Sequence, residues 1–186
     1  RMGHDVIMTP VSHCYFDYYQ TTDRDLVPEA FDGYISLEKV YGYNPVPDGL
    51  SLEEAGHILG AQGNVWTEYM PGEAIVEYRV LPRMTALSEV LWSPEESRGQ
   101  DGFMKRLEGF LNWMTTLNYH FYIPAPQGVF KEMIFLDSTR VQLQNPWPFG
   151  EIHYTLDGSE PAVQSKVFDR PFPVTKETVL KARLFL

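Results

Sequence analysis

The sequence has little of three features that would narrow its function. Cys14 is the only cysteine among 186 residues, so an intrachain disulfide is excluded and cysteine use does not indicate the redox compartment. No apolar run approaches the roughly 20 residues that a membrane-spanning helix needs, and the first residues lack the apolar stretch of a signal peptide. Cations are also scarce, with 15 Lys and Arg against 25 Asp and Glu. Because nucleic-acid affinity requires clustered cations, we expect no nucleic-acid partner.

The positions of the histidines and of the cysteine indicate neither a metal site nor a reactive thiol. The histidines lack the paired spacing of metal ligands, and they stand at His4, His13, His57, His120 and His153. Cys14 has no cationic neighbour to lower its pKa, so we interpret it as a small packing residue. The sequence predicts neither a metal nor a cofactor.

The first part of the chain has an α/β pattern. Residues 5–10 form a short apolar run closed by Pro10, which predicts a buried parallel strand followed by a loop over residues 10–20. A brief helix is expected over residues 35–41, and the spacing of Ser51 and Glu54 is that of a capping box. The Gly-rich apolar run at residues 58–66 is typical of a strand in crowded surroundings.

Longer helices and then strands follow. Apolar residues at steps of three and four predict one amphipathic helix over residues 73–92, kinked at Pro82. A second helix is expected from Gln100, with one apolar face formed by Phe103, Leu107, Phe110, Met114 and Leu117. The Pro-rich segment at 124–126 divides the chain into domains 1–124 and 125–186. Strand patterns at 140–144, 151–156, 167–168 and 179–186 predict a small antiparallel, β-sandwich-like module, with Asp157-Gly158 in a tight turn.

Four side chains suggest one wall of a sugar pocket. Tyr15 and Asp17 follow the first predicted strand, and Trp66 and Glu68 end the second. An aromatic face beside a carboxylate suits a pyranose, because ring C–H groups stack on indole while sugar hydroxyls donate to carboxylate oxygens. Taken singly, Tyr15 and Trp66 are more simply interpreted as packing aromatics and Asp17 as a solvated carboxylate, whereas Glu68 needs solvent or a hydroxyl partner.

Three segments in register resemble the β-N-acetylhexosaminidases of glycoside hydrolase family 20: YFD at 15–17, LGAQGNVWTE at 59–68 and PRMTALSEVLW at 82–92. IHYTLDGSEP at 152–161 is similar to the C-terminal β-module that often follows that catalytic domain. The resemblance implies a (β/α)₈ TIM barrel with its active site at the C-terminal ends of the strands. A whole barrel takes about 250 residues, so residues 1–124 are expected to supply only its last two β/α units, with more sequence on either side.

The resemblance also implies a mechanism and roles. The carbonyl oxygen of the substrate's 2-acetamido group attacks the anomeric carbon, with retention of configuration, and Tyr15 matches the tyrosine that donates to that carbonyl. Trp66 matches the indole that walls the acetamido pocket, and Asp17 and Glu68 match carboxylates that bind the outer hydroxyls of a terminal N-acetylhexosamine. The family's adjacent Asp-Glu pair, which includes the general acid, has no counterpart here, because Glu53-Glu54 and Glu95-Glu96 are helix-start pairs. The 186 residues alone are therefore expected to be inactive.

A noncatalytic carbohydrate-binding or interaction protein is the alternative, motivated by the missing acid and the β-module. Arg83 and Glu89, six residues apart, are assigned to packing and outer hydrogen bonds rather than to a direct pair. Exposed strand edges of a partial barrel predict self-association of the isolated chain. A glycan-degrading role of the bacterial family suggests the periplasm or the cell exterior.

Overall fold

The chain folds into two compact units in the computed structural model, which describes residues 3–186. The first unit extends to Tyr122 and the second is Ile123–Leu186, so the division falls just before the Pro-rich segment. No helix in the described part of the chain is both long and apolar enough to cross a membrane.

Two parallel strand pairs organise the first unit. β1 (Val6–Met8) pairs with β4 (Ile58–Ala61), and β2 (Tyr18–Tyr19) pairs with β3 (Phe31–Tyr34). The two strands expected near residues 5–10 and 58–66 are thus confirmed, although β4 is shorter than predicted. The expectation that the first strand is buried is wrong, because Val6 and Ile7 are 40% and 56% exposed. Within residues 3–186 the β1–β4 pair has no further strand on either edge.

Six α-helices lie in the first unit within the described residues, and their bounds are α1 (Val11–Cys14), α2 (Leu37–Tyr41), α3 (Leu52–Ala55), α4 (Glu73–Val80), α5 (Arg83–Trp92) and α6 (Gln100–Thr116). The helix expected over 35–41 is confirmed, with Ser36 as its N-cap. The capping box at Ser51 and Glu54 is also present, because each side chain accepts from the other residue's backbone N–H.

The expected single helix over residues 73–92 is in fact two helices, α4 and α5. Pro82 has no backbone N–H to donate, and in a continuous helix its ring would clash with the carbonyl group four residues earlier. The first helix therefore ends before Pro82 and a second one begins after it. The carbonyls left open at the end of α4 are satisfied from a distance by Gln20, whose amide donates to the oxygens of Tyr78, Arg79 and Leu81 at 2.7, 3.2 and 3.1 Å.

The core of this unit lies between α2, α5 and α6. On α6 the buried face is formed by Phe103, Met104, Leu107, Leu111 and Met114. Phe110 and Leu117 were expected on this face, but Phe110 is only partly buried and Leu117 is 47% exposed. Tyr41 of α2 stacks on Phe103 with ring centroids 4.2 Å apart.

The second unit is made of short antiparallel strands, as expected. β5 (Thr139–Val141) pairs with β8 (Phe172–Val174), and a second sheet has the order β7 (Lys166–Val167), β6 (Glu151–Thr155), β9 (Lys181–Phe185). β8 was not predicted. The Asp157-Gly158 turn is confirmed, since Gly158 has φ +80° and Asp157 Oδ1 accepts from the Ser159 N–H at 3.0 Å.

Candidate functional site

The backbone brings the two predicted site segments side by side. Tyr15, at the end of α1, forms a parallel bridge with Asn64. The Asn64 N–H donates to the carbonyl of Cys14 at 2.6 Å, and the Asn64 carbonyl accepts from the Phe16 N–H at 2.8 Å. Tyr15 is held between these two hydrogen bonds, and Trp66 follows two residues after its bridge partner.

Tyr15 lies between two fully buried residues, and a glycine makes room for one of them. Cys14 and Phe16, on either side of Tyr15, are both 0% exposed. Burial raises the pKa of the Cys14 thiol to about 11, so this cysteine is a packing residue and not a nucleophile at neutral pH. Gly63 leaves the space that the Phe16 ring occupies, because a Cβ added there would lie 2.7 Å from Phe16 Cε2.

Asp17 is a buried carboxylate with an open acceptor. It is 2% exposed, and Oδ1 has no hydrogen-bond partner among residues 3–186. Burial raises the pKa of Asp17, the Glu68 carboxylate raises it further, and the nearby Arg83 and Arg79 guanidinium groups lower it. Glu68 is therefore near enough to Asp17 to affect its charge.

The other two predicted residues face solvent. Trp66 is 54% exposed and Glu68 is also exposed. An open cavity of about 440 Å³ lies beside Glu68 and is lined by residues 67–71, Ile75 and the Pro28-Glu29 segment. Of the four predicted site residues, only Glu68 lines this cavity.

Two buried arginines hold the backbone of the Asp17 segment and of the Pro28-Glu29 segment. Arg79 donates to the carbonyls of Pro28 and Glu29 at 2.5 and 2.7 Å. Arg83, which is 0% exposed, donates to the carbonyls of Phe16 and Tyr18 at 2.6 and 3.1 Å. Sequence reasoning did not single out Arg79 or Gln20, because their partners are backbone carbonyls, which leave no trace in the sequence.

Arg83 and Glu89 do not pair with each other, as expected. Glu89 accepts from the Tyr41 hydroxyl at 2.8 Å and from Arg106 Nε at 3.0 Å. The Tyr41 hydroxyl in turn accepts from the Gly99 N–H at 3.0 Å. These contacts join α2, α5 and the start of α6.

No cluster of three or more His, Cys, Asp or Glu side chains that could hold a metal ion occurs within the described range 3–186. The adjacent acidic pairs lie at helix starts, and Glu54 is engaged in the capping box of α3.

Two protein families match the chain. The catalytic domain of glycosyl hydrolase family 20 matches residues 1–95, and the chitobiase/β-hexosaminidase C-terminal domain matches residues 131–185. A β-hexosaminidase of Porphyromonas gingivalis is 36% identical over 98% of this chain and 24% of its own length. A β-hexosaminidase of Akkermansia muciniphila is 32% identical over 58% of this chain and 21% of its own length. The chain thus spans about a quarter of the length of these curated relatives.

Solved structures show the same likeness. A crystal structure of a β-N-acetylhexosaminidase is 29% identical, with a TM-score of 0.56 over 62% of this chain and 24% of that one. An exo-β-N-acetylglucosaminidase of Vibrio harveyi in complex with N-acetylglucosamine is 25% identical, with a TM-score of 0.55 over 63% of this chain and 19% of that one. The likeness extends over mixed α/β structure and covers no more than a quarter of either solved chain.

Proposed function

Because the chain belongs to glycosyl hydrolase family 20, we propose that it supplies one wall of the sugar site in an exo-acting β-N-acetylhexosaminidase. Such an enzyme removes terminal N-acetylglucosamine or N-acetylgalactosamine from glycans. The Porphyromonas gingivalis relative, which matches along nearly the whole chain, supports this proposal. So does the Vibrio harveyi structure, which holds N-acetylglucosamine. In this proposal β1 and β4, each followed by helices, are the last two β/α units of a TIM barrel.

The observation that carries the proposal is the hydrogen-bonded contact between the Tyr15 and Asn64 segments. It lays the backbone of Tyr15 beside that of Asn64, two residues before Trp66, and the Glu68 carboxylate is near enough to raise the pKa of Asp17. A phenol, an indole and carboxylates on one surface suit a sugar with an amide substituent, because its C–H faces, its carbonyl and its hydroxyls each find a different partner.

In the proposed mechanism Tyr15 acts on the internal nucleophile. Its hydroxyl donates to the carbonyl oxygen of the 2-acetamido group and holds that oxygen near the anomeric carbon. The carbonyl oxygen forms the new bond as the glycosidic bond breaks, which gives an oxazolinium-like intermediate, and water then opens it with net retention. Trp66 walls the acetamido group on its other side.

Asp17 and Glu68 select the end of the glycan. Their oxygens accept hydrogen bonds from the outer hydroxyls of the terminal sugar, so a sugar substituted at those positions is excluded. Asp17 Oδ1 supports this role, because a buried acceptor without a protein partner is costly unless a ligand donates to it.

The 186 residues contain no adjacent Asp-Glu pair, and their two adjacent acidic pairs, Glu53-Glu54 and Glu95-Glu96, lie at helix starts. Without a general acid the leaving oxygen departs unprotonated, and such a group contributes about 10²- to 10⁴-fold. We therefore expect the 186-residue chain by itself to release no nitrophenol from nitrophenyl N-acetylglucosaminide, while the complete gene product that carries the chain hydrolyses this substrate.

The experiment that tests the assignment compares Tyr15→Phe with Tyr119→Phe in that complete gene product. Tyr15→Phe removes the proposed donor and is expected to lower kcat by about 10²-fold with little change in KM, because the bond strengthens as charge develops. Tyr119→Phe removes a hydroxyl from an exposed ring after α6 and should leave both constants unchanged. Unaltered kcat in Tyr15→Phe, or an unsubstituted protein without hexosaminidase activity, would contradict the proposal.

A further inference from the structure

Arg83 is buried in an unusual set of contacts. It begins α5, is 0% exposed, and its guanidinium donates to four backbone carbonyls. Besides the carbonyls of Phe16 and Tyr18, it reaches those of Ile35 at 3.1 Å and Arg79 at 2.7 Å. Among the ion pairs of the described residues, none involves Arg83. A buried cation bound only to carbonyls is a costly arrangement unless an anion is close by.

We propose that Arg83 is a positioning residue for the sugar site, which holds the backbone on both sides of Asp17 and places a buried cation near the Asp17 carboxylate. The proposal rests on the proposed function, since it gives Asp17 the task of accepting hydrogen bonds from a sugar.

The geometry accounts for the positioning. Two of the four carbonyls that Arg83 binds, those of Phe16 and Tyr18, belong to the residues immediately before and after Asp17. Bonds on both sides fix the direction in which the Asp17 side chain leaves the backbone. The Phe16 ring also lies under the guanidinium, with its centroid 5.0 Å from Arg83 Cζ. A lysine ammonium carries the charge but is a single point, so it lacks the planar fork needed for several carbonyls at once.

Several groups act on the pKa of Asp17 in opposite directions. Burial and the charge of Glu68 raise this pKa, whereas a hydrogen bond from the Asp17 backbone and the charges of Arg83 and Arg79 lower it. Burial and the charge of Arg79 lower the pKa of Arg83, and the nearby Asp17 raises it; the resulting pKa of about 9 leaves Arg83 a cation at neutral pH. Removing the Arg83 charge takes away an effect that lowers the pKa of Asp17. The carboxylate would then take up its proton at a higher pH and lose acceptor strength toward sugar hydroxyls.

The test measures kcat and KM against pH in the complete gene product for Arg83→Met and Arg83→Lys. Arg83→Met should raise KM by at least about tenfold, the cost of a lost charge-assisted contact. It should also move the acid limb of kcat/KM upward by about one pH unit, as expected for loss of a nearby cation. Arg83→Lys keeps the charge, so its acid limb should stay in place while KM still rises.

Arg106→Met is the matched control. It removes an arginine that also anchors α5, through Glu89, but makes no contact with the Asp17 loop. It should lower the Tm and leave the acid limb and KM unchanged. Equal acid limbs in the unsubstituted protein and Arg83→Met, or an unchanged KM in Arg83→Lys, would overturn the proposal.

A direct titration of the Asp17 carboxyl group tests the proposal independently of activity. Carboxyl-carbon NMR of the same proteins, with the Asp17 signal identified from Asp17→Asn, should show a higher Asp17 pKa in Arg83→Met and an unshifted one in Arg83→Lys. If Arg83→Met does not fold, the KM of Arg83→Lys decides. An unsubstituted protein without hexosaminidase activity refutes the proposed function, and the Asp17 titration then still decides whether Arg83 controls this carboxylate.

Discussion

Gly63→Ala tests whether the wall depends on the close approach of the two site segments. Gly63 precedes Asn64, which holds both sides of Tyr15. An added Cβ would lie 2.7 and 3.0 Å from Cε2 and Cδ2 of Phe16, and 3.1 Å from Met84 Cε. Phe16 is fully buried and lies under the Arg83 guanidinium, so its ring has no free space to enter. The two segments must therefore separate.

The expected cost is that of overpacking a filled core, about 1–3 kcal/mol. For a protein of about 150–250 residues each kcal/mol corresponds to about 2–4 °C, so the Tm should fall by about 2–12 °C. Displacement of Phe16 moves its neighbours Tyr15 and Asp17 together, and a shift of about 1 Å in such groups costs up to about 10²-fold in rate. The complete gene product should therefore lose activity as well as stability.

Thermal unfolding of Gly63→Ala is best compared with that of Gly109→Ala. Gly109 lies within α6, and a Cβ added there meets nothing within 4 Å. Alanine in that helix should stabilise the fold by about 0.5–1 kcal/mol, because it lowers the backbone entropy of the unfolded chain. A Tm of Gly63→Ala equal to or above that of the unsubstituted protein would refute the crowding argument.

Three further predictions concern burial. Burial raises the pKa of Asp17, so the ionised carboxylate destabilises the fold at neutral pH, and Asp17→Asn should raise the Tm at pH 7. This gain in Tm should shrink as the pH falls through the raised pKa toward the ordinary value of 3.8, and an equal Tm of the two proteins at pH 7 would contradict the prediction. Cys14, with its thiol pKa near 11, should react with a disulfide reagent at pH 8 only after unfolding. The exposed Val6, Ile7 and Leu59 should make the isolated 186-residue chain self-associate, and a monodisperse monomer by light scattering at high concentration would count against this.

Local signals in the sequence were sufficient for the caps and for several strands. The capping box at Ser51 requires only residues three positions apart, and the Gly158 turn requires only adjacent ones. Burial was less predictable. The apolar run at Val6 and Ile7 indicates a strand buried on both faces, but the exposure of these residues depends on neighbours that the run itself does not specify.

The break between α4 and α5 and the strand β8 were predicted wrongly, because residues distant in sequence determine both. A proline in a helical pattern is compatible with a kink or a stop, and here Gln20 favours the stop by satisfying the open carbonyls of α4. β8 was missed because Pro173 argues against a strand. It is nevertheless paired with Arg140, in the short two-stranded sheet of β5 and β8.

The four predicted site residues could be named from the sequence because they match motifs of the resembled family, whereas the backbone partners of the buried arginines could not. Tyr15, Asp17, Trp66 and Glu68 suit a sugar by residue type, but their roles are predictions that follow from the resemblance to the family. Arg83 acts through backbone carbonyls, which every residue possesses, so only the fold shows which ones it binds. The same helix is held at Glu89 by Tyr41 and Arg106. One end of α5 therefore binds the backbone around Asp17, while Glu89 ties the same helix separately to α2 and α6.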